Sequence, residues 1–427
     1  MRSRFFPRNS LIVVFALAIS TAAFGQAAPQ NSSAALPDGD GKDVVQTACV
    51  GCHALDRVAN SGYDRAQWTT VLHMMVNVGA KVPPERFDAV ADYLSKNFSA
   101  KAVPSAVIVR GDVNVSIKEW PVPTPGSRPH DPMYAPDGSV WYTGQMANVL
   151  GRFDPKTQQF KEFHLKTPDS GPHGLIPDSA GNVWFTANFK AYIGKLDPRT
   201  GNVAEYPMPD AAARDPHTLL LAPNGNIYFT VQGGNMIGRL DPKTGAVKVV
   251  PSPTPRSNPY GMVVDSHGVP FFVEFGSNKV GRIDPETLQV REYVLPHADS
   301  RPRRVAITPD DIIWYTDYSR GYLGRLDPKT WETSEWPSPS GPKSQPYGIT
   351  AVGDVIWYSE SNVSPNTIVR FDTKTQKFQS WPIPSGGGVV RNMVHTPEGN
   401  LWLACSGVNQ IAFVQVQGAA PQPPRGE

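Results

Sequence analysis

Two groups of residues in this sequence have the types and spacing to do chemistry. The first is Cys49-Val50-Gly51-Cys52-His53. Two thiols three positions apart, followed at once by an imidazole, form the C-x-x-C-H pattern through which c-type haem is attached. Each thiol can add to one vinyl group, and His53 can place a ring nitrogen on the iron. A zinc site would need a second ligand pair at similar spacing, and none follows. A redox dithiol of the thioredoxin kind would need a βαβ context, whereas the flanks here read as helical. The second group recurs in phase along the rest of the chain: His130, His173, His217, Tyr260, Arg303, Tyr347 and Arg391. Each stands ten or eleven residues before an aromatic. A further set follows three residues after that aromatic: Gly144, Ala187, Val231, Glu274, Asp317, Glu360 and Cys405. These two positions vary from copy to copy while their neighbours repeat, which is where a site would be written. Histidines, with a pKa near neutrality, are the usual general bases. Glu274, Asp317 and Glu360 are oxygen ligands of the kind a divalent cation takes.

The elements that must position these residues differ between the two groups. Around the cysteines the chain predicts helices. One runs from Asp43 into Cys49. A second spans Arg65 to Val78 with Trp68, Val71, Leu72, Met75 and Val78 on one stripe. A third opens at Pro83-Pro84, has Glu85 in its first turn, and ends near Phe98. Beyond residue 113 the sequence is periodic. Gly151-Arg-Phe-Asp-Pro-Lys-Thr157 returns from Gly194, Gly238, Gly281 and Gly324, and in degenerate form from Val369, at spacings of 43 to 45 residues. A Val-Trp-Tyr-Thr element keeps phase with it through seven copies, from Val140 to Leu401. Short alternating runs at that period predict propeller blades. The last copy ends after its third strand, near Phe413 to Val416, and the first is preceded by a lone strand over Ser116 to Val122. The leading strand is therefore expected to complete the seventh blade from outside, which leaves no open edge.

The helical stretch resembles monohaem cytochrome c domains over about residues 40–100. The shared pattern is Cys49, Cys52, His53, Trp68, Met75, Gly79, Ala80, Tyr93 and Leu94. That resemblance implies a methionine sulfur on the far side of the iron. Met75 shares the Trp68/Leu72 stripe, with its neighbour Met74 as the competing thioether and His73 as the candidate for ligation by two histidines. The repeats, over residues 116–416, resemble those of virginiamycin B (streptogramin B) lyases. In that family adjacent blades supply two histidines, a tyrosine and acidic residues around a magnesium ion; one histidine removes an α-proton and the lactone C–O bond breaks. The resemblance implies catalytic roles for His173, His217 and Tyr260, with Asp215 on the metal side. The acid expected after the third-blade aromatic is replaced by Val231-Gln232, and acids stand further on at Glu274, Asp317 and Glu360.

The expected fold class is thus a small all-α cytochrome c domain (40–102) followed by an all-β seven-bladed propeller (113–417). A secretory signal is expected over 1–25, from the basic Arg2, Arg4 and Arg8, the apolar Leu11–Ala23 run and the small residues around Ala23-Phe24-Gly25. A linker (26–39) and a disordered tail (418–427) complete the chain. The expected location is the periplasm or another exported compartment, with no membrane span after signal removal. A net charge of +2 gives no nucleic-acid footprint. Of three cysteines, two belong to the haem motif and Cys405 is left over, so no structural disulfide is expected. The function expected is electron transfer by haem c coupled to a substrate- or ligand-binding propeller. The partners are a small molecule at the channel and a redox protein, and the cofactors are haem c and a divalent cation such as magnesium. A carbon–oxygen lyase and a propeller that only binds, with haem as sensor, are the alternatives.

Overall fold

The computed structural model describes residues 36–50, 55–77 and 79–417. The expected signal and tail, together with Cys52 and His53, lie outside the described residues.

Four short helices form the first region: α1 (Lys42–Ala48), α2 (Asp56–Asn60), α3 (Arg65–Asn77) and α4 (Phe87–Asn97). Their apolar faces share one core, in which Val45, Trp68, Leu72, Val90, Tyr93 and Leu94 are buried. The Trp68 indole donates to the Phe98 carbonyl (2.8 Å), which fixes the end of α4 against α3. Arg65 ties α3 to α4, and Arg86, just before α4, reaches α1, through exposed carboxylates that add little. Four short helices do not by themselves make a distinct cytochrome c domain. What stands is a small helical region packed around its own core.

The second region is a propeller of seven four-stranded antiparallel sheets. The repeat phrase has a physical reading in each blade. The glycine of Gly-Arg-x-Asp-Pro faces the second aromatic of Trp-Tyr-Thr across the sheet: Gly151 opposite Tyr142, Gly194 opposite Phe185, Gly238 opposite Phe229. A side-chain carbon at Gly238 would fall 2.1 Å from the Phe229 ring, so the ring occupies the space a side chain would need. The aspartate that follows turns the chain by accepting the N–H two residues on, as Asp154 does from Lys156 (2.9 Å) and Asp241 from Lys243 (2.9 Å). The ring closes as the lone leading strand predicts. Asn114–Pro121 pairs antiparallel with Gln410–Gln417 and is the outermost strand of blade 7.

Every innermost strand carries a bulge near its start, for example between Pro129 and Pro132 or between Pro302 and Val305. The extra residue breaks the alternation of faces, so two consecutive side chains can serve the channel. A hydroxyl on the second strand braces the bulge. Thr143 Oγ1 accepts from the Asp131 N–H (3.1 Å) and donates to the His173 carbonyl of the next blade (2.7 Å). Thr186 and Thr230 repeat this toward His217 and Tyr260; Thr316 and Ser359 repeat it toward Tyr347 and Val390. Val273 and Ala404 hold the same place in blades 4 and 7 and have no hydroxyl to offer.

The connection between the two regions is strapped to blade 6. The Val109 N–H donates to Ser380 Oγ (2.8 Å), the Ser380 N–H donates to the Val109 carbonyl (2.9 Å), and Ser105 bridges to Ser364. At the other side of the helical region the turn at Gly79 lies against Arg214, where an added side-chain carbon would meet Nη1 at 3.0 Å. The helices therefore lie at the end of the propeller where the innermost strands begin.

Candidate functional site

The variable residues at the second position of the innermost strands converge. His130 and His173 have ring centroids 3.7 Å apart, His173 and His217 3.7 Å, and His217 and Tyr260 3.9 Å. All four are buried to within a few per cent. The three expected catalytic residues, His173, His217 and Tyr260, are thus brought together, and His130 extends their stack. The Tyr260 and Tyr347 hydroxyls hydrogen-bond to each other. Arg303 lies among aromatics, its guanidinium carbon 3.8 Å from the Tyr347 ring centroid, 4.3 Å from Tyr318 and 4.6 Å from Phe275.

Electrostatics divide the residues of this ring. Burial pushes all three histidines well below the usual imidazole range. For His130, Arg391, Arg304, Arg303 and Arg128 push the same way, so it stays neutral although Nδ1 lies 2.9 Å from Asp131. Its Nδ1–H donates to that carboxylate, which leaves Nε2 as the lone-pair nitrogen. His217 Nδ1 is 3.0 Å from Thr218 Oγ1, and His173 Nδ1 is buried with no hydrogen-bond partner. Burial works to raise the Tyr347 phenol, but Arg303, Arg391 and Arg304 outweigh it and leave the group more acidic than an ordinary tyrosine. Burial raises Tyr260. Either hydroxyl can donate in the contact between them.

The bulge adds a second tier that the sequence reading did not single out. Asp131 and Arg304 follow His130 and Arg303 directly and meet across the channel, with Arg304 Nη2 2.6 Å and Nη1 3.3 Å from the two Asp131 oxygens. Both are buried. Consecutive polar residues in a buried strand, His130-Asp131 and Arg303-Arg304, were the available signal, since a regular strand turns one of each pair away from the channel. Beyond this tier lies a cavity of about 200 Å³, lined by Thr218, Leu219, Met262, Asn392 and Met393. A larger groove of about 340 Å³ between blades 5 and 6, lined by Trp314, Trp336 and Asp354, contains no ring residue.

The acids are not brought together. Glu274 is fully buried, accepts from Ser277, and is pushed up to about 8 by burial. Asp317 accepts from the Arg301 N–H (2.9 Å) and pairs with Arg320 (3.1 Å). Glu360 accepts from Ser338, Ser340 and Thr367. Each is taken up by nearby loops: Glu274 by the turn that follows its strand, and Asp317 and Glu360 by the segments that lead into their blades from the preceding ones. Asp215, two residues before His217, is held by Asn188, and desolvation pushes its carboxyl up to about 8. No second acid faces it at Val231-Gln232. These residues do not fit a divalent cation. His130, Asp131 and His173 offer ligand atoms within 4.8 Å of one another, but Arg304 already holds that carboxylate. Cys405 is fully buried, and burial raises its thiol.

In the helical region Cys49 ends α1 and packs against the shared core, and Met74 and Met75 are both half-buried on α3. His73 is exposed and stacks on Phe87 at 4.4 Å.

The sequence matches the Virginiamycin B lyase family over residues 98–350 and 289–423. The chain belongs to that family. Among solved structures, a streptogramin B lyase is 28% identical, covers 71% of this chain and 98% of its own, and superposes with a TM-score of 0.65. A catalytically inactive histidine-to-alanine variant of virginiamycin B lyase from Staphylococcus aureus with quinupristin is 25% identical, covering 71% of this chain and 99% of that one, with a TM-score of 0.65. Hydrazine synthase from Kuenenia stuttgartiensis, at 15% identity, 70% and 98% coverage and a TM-score of 0.59, shares the fold alone. No curated protein matches the chain. The family match begins at residue 98, so the helical region lies outside it.

Proposed function

We propose that this member of the virginiamycin B lyase family is an exported haem c protein whose propeller holds a small molecule at the His/Tyr/Arg end of the channel. The observation that carries the reading is the unbroken stack His130–His173–His217–Tyr260 at 3.7–3.9 Å, placed at the end of the propeller that the helices cover. Neutral buried imidazoles are bases that can accept a proton from a bound molecule, and His173 Nδ1 has no competing partner. Tyr347, made more acidic by its arginines, can exchange a proton with Tyr260.

The donor set at the helical region suits haem c: two thiols, one imidazole and a thioether. Cys49 and Cys52 would hold the group covalently, and His53 and Met75 would hold its iron, with Met74 and His73 the rivals of Met75. When bound, the group supplies one-electron chemistry. The chain's own contribution is to hold its attachment point against the Trp68/Leu72 core and to set that region against the end of the propeller where the innermost strands begin, as at Gly79 beside Arg214.

Haem content tests the first half. Protein matured with a c-type attachment system should show a narrow reduced α band that is lost in Cys49→Ser; its absence in the wild type overturns the haem reading. A second reading, ester C–O elimination, is favoured by the family match and by the His173/His217/Tyr260 order. Linearisation of quinupristin by wild type but not by His217→Ala would establish it. No turnover by the wild type would remove it, as the lack of a cation-binding acid pair leads us to expect.

A further inference from the structure

The ring carries more positive charge than the protein compensates. Four arginines, Arg128, Arg303, Arg304 and Arg391, lie close enough to depress His130 together. Arg304 is neutralised by Asp131. Among the described residues no carboxylate pairs with Arg128, Arg303 or Arg391 in an ion pair. Arg303 Nε and Arg391 Nε are buried without an acceptor. Burial and the charge of Arg391 bring Arg128 down to about 10, which marks like charges held together. Aromatic faces around Arg303 stabilise its flat sides, but the in-plane Nε–H is left without an acceptor. A guanidinium out of water without an acceptor is costly, and its planar fork matches an oxyanion.

We propose that Arg303 and Arg391, with Arg128 at the rim, form a binding site for the oxyanion group of a small molecule, a carboxylate or a phosphoryl group. The site lies beside the stacked imidazoles, so the bound molecule presents its anionic end to blades 5 to 7 and its remaining atoms to His173 and His217. It gives guanidinium charge the place that a divalent cation would otherwise fill. The inference rests on the channel end being the ligand site, and it does not require that any reaction occur there.

Binding can therefore be measured without turnover. Intact protein is titrated calorimetrically and by thermal unfolding with acetate, succinate, inorganic phosphate and sulfate, against potassium chloride at matched ionic strength. A saturable rise in Tm, roughly 4 °C at a hundredfold excess over Kd, is expected for an oxyanion and not for chloride. Stronger carboxylate binding assigns a carboxylate, and stronger phosphate binding assigns a phosphoryl group; either supports the site. Arg303→Gln and Arg391→Gln should each weaken binding roughly tenfold or more. Arg303→Lys and Arg391→Lys keep the charge, guard against a folding defect, and should bind at intermediate strength. No oxyanion-specific rise in the wild type, or an undiminished rise in both Gln variants, overturns the proposal. A failed search for catalysis alongside normal anion binding would count against the enzymatic reading only.

Discussion

The three stacked histidines give the protein a pH dependence whose sign follows from burial. Their imidazoles are held below the ordinary value near 6.5, so the unfolded chain takes up protons at a pH where the folded one does not. Stability from this source is complete above about pH 6.5 and is lost as pH falls below it, by up to about 1.4 kcal/mol per pH unit for each histidine. His173→Asn should shallow the fall in Tm between pH 6.5 and 5, whatever it does to Tm at neutral pH; an unchanged slope would mean that His173 is not buried neutral. Glu274 has the opposite sign. Its carboxyl is raised from the ordinary value near 4.5 to about 8, so its contribution is full below about pH 4.5 and is lost as pH rises from there to about 8. Glu274→Gln removes that decline, so its Tm relative to the wild type should climb between about pH 5 and 8 and level off above; a constant difference would mean that Glu274 is not held protonated. Much of this site could be read from residue types and phase. His173, His217 and Tyr260 stood at one position of the repeat, and they do meet. Glu274, Asp317 and Glu360 stood equally in phase, but phase says nothing about which way a side chain faces, and theirs face nearby loops. Asp131 and Arg304 escaped because alternation hides the second of two neighbours, and only the bulge brings both into the channel.

At the scale of the element, the repeat was legible because every copy solves the same packing problem. The glycine opposite the second-strand aromatic is the sharpest case. Gly238→Ala would drive a methyl carbon into the Phe229 ring, which is fully buried and has little room to move. A loss of about 1–3 kcal/mol is expected, measured by denaturant unfolding; a neutral result would show that the ring can shift. Blade 6 shows the same rule by exception. Val369 replaces the glycine there, and the facing Tyr358 hydroxyl bonds to Ser338 (2.9 Å). The helices α1, α3 and α4 were equally legible from apolar spacing. The strap of residues 104–113 along blade 6 was not, because an extended run with serine partners far away in sequence leaves no local pattern.

For the whole molecule, closure by the leading strand follows from counting strands, and the pairing of Asn114–Pro121 with Gln410–Gln417 bears it out. The hydroxyl braces between blades say something that counting does not. They join blades 1 to 4 in one series and blades 5 to 7 in another, and they stop at Val273 and Ala404. The circle is thus two hydroxyl-braced arcs, or jaws, joined at a seam on either side by apolar packing, as where Val273, Tyr315 and Tyr347 share one buried cluster. One jaw carries the imidazoles and Tyr260; the other carries Arg303, Tyr347 and Arg391. The Asp131–Arg304 pair and the Tyr260–Tyr347 contact latch one jaw to the other. Val273→Thr should stitch the first seam, slowing amide exchange in the innermost strand of blade 5 relative to blade 2; equal protection in both proteins would show no seam there. A ligand gripped by charge on one jaw and by imidazole on the other would draw the jaws together, so the same molecule that fills the mouth would set how tightly it closes.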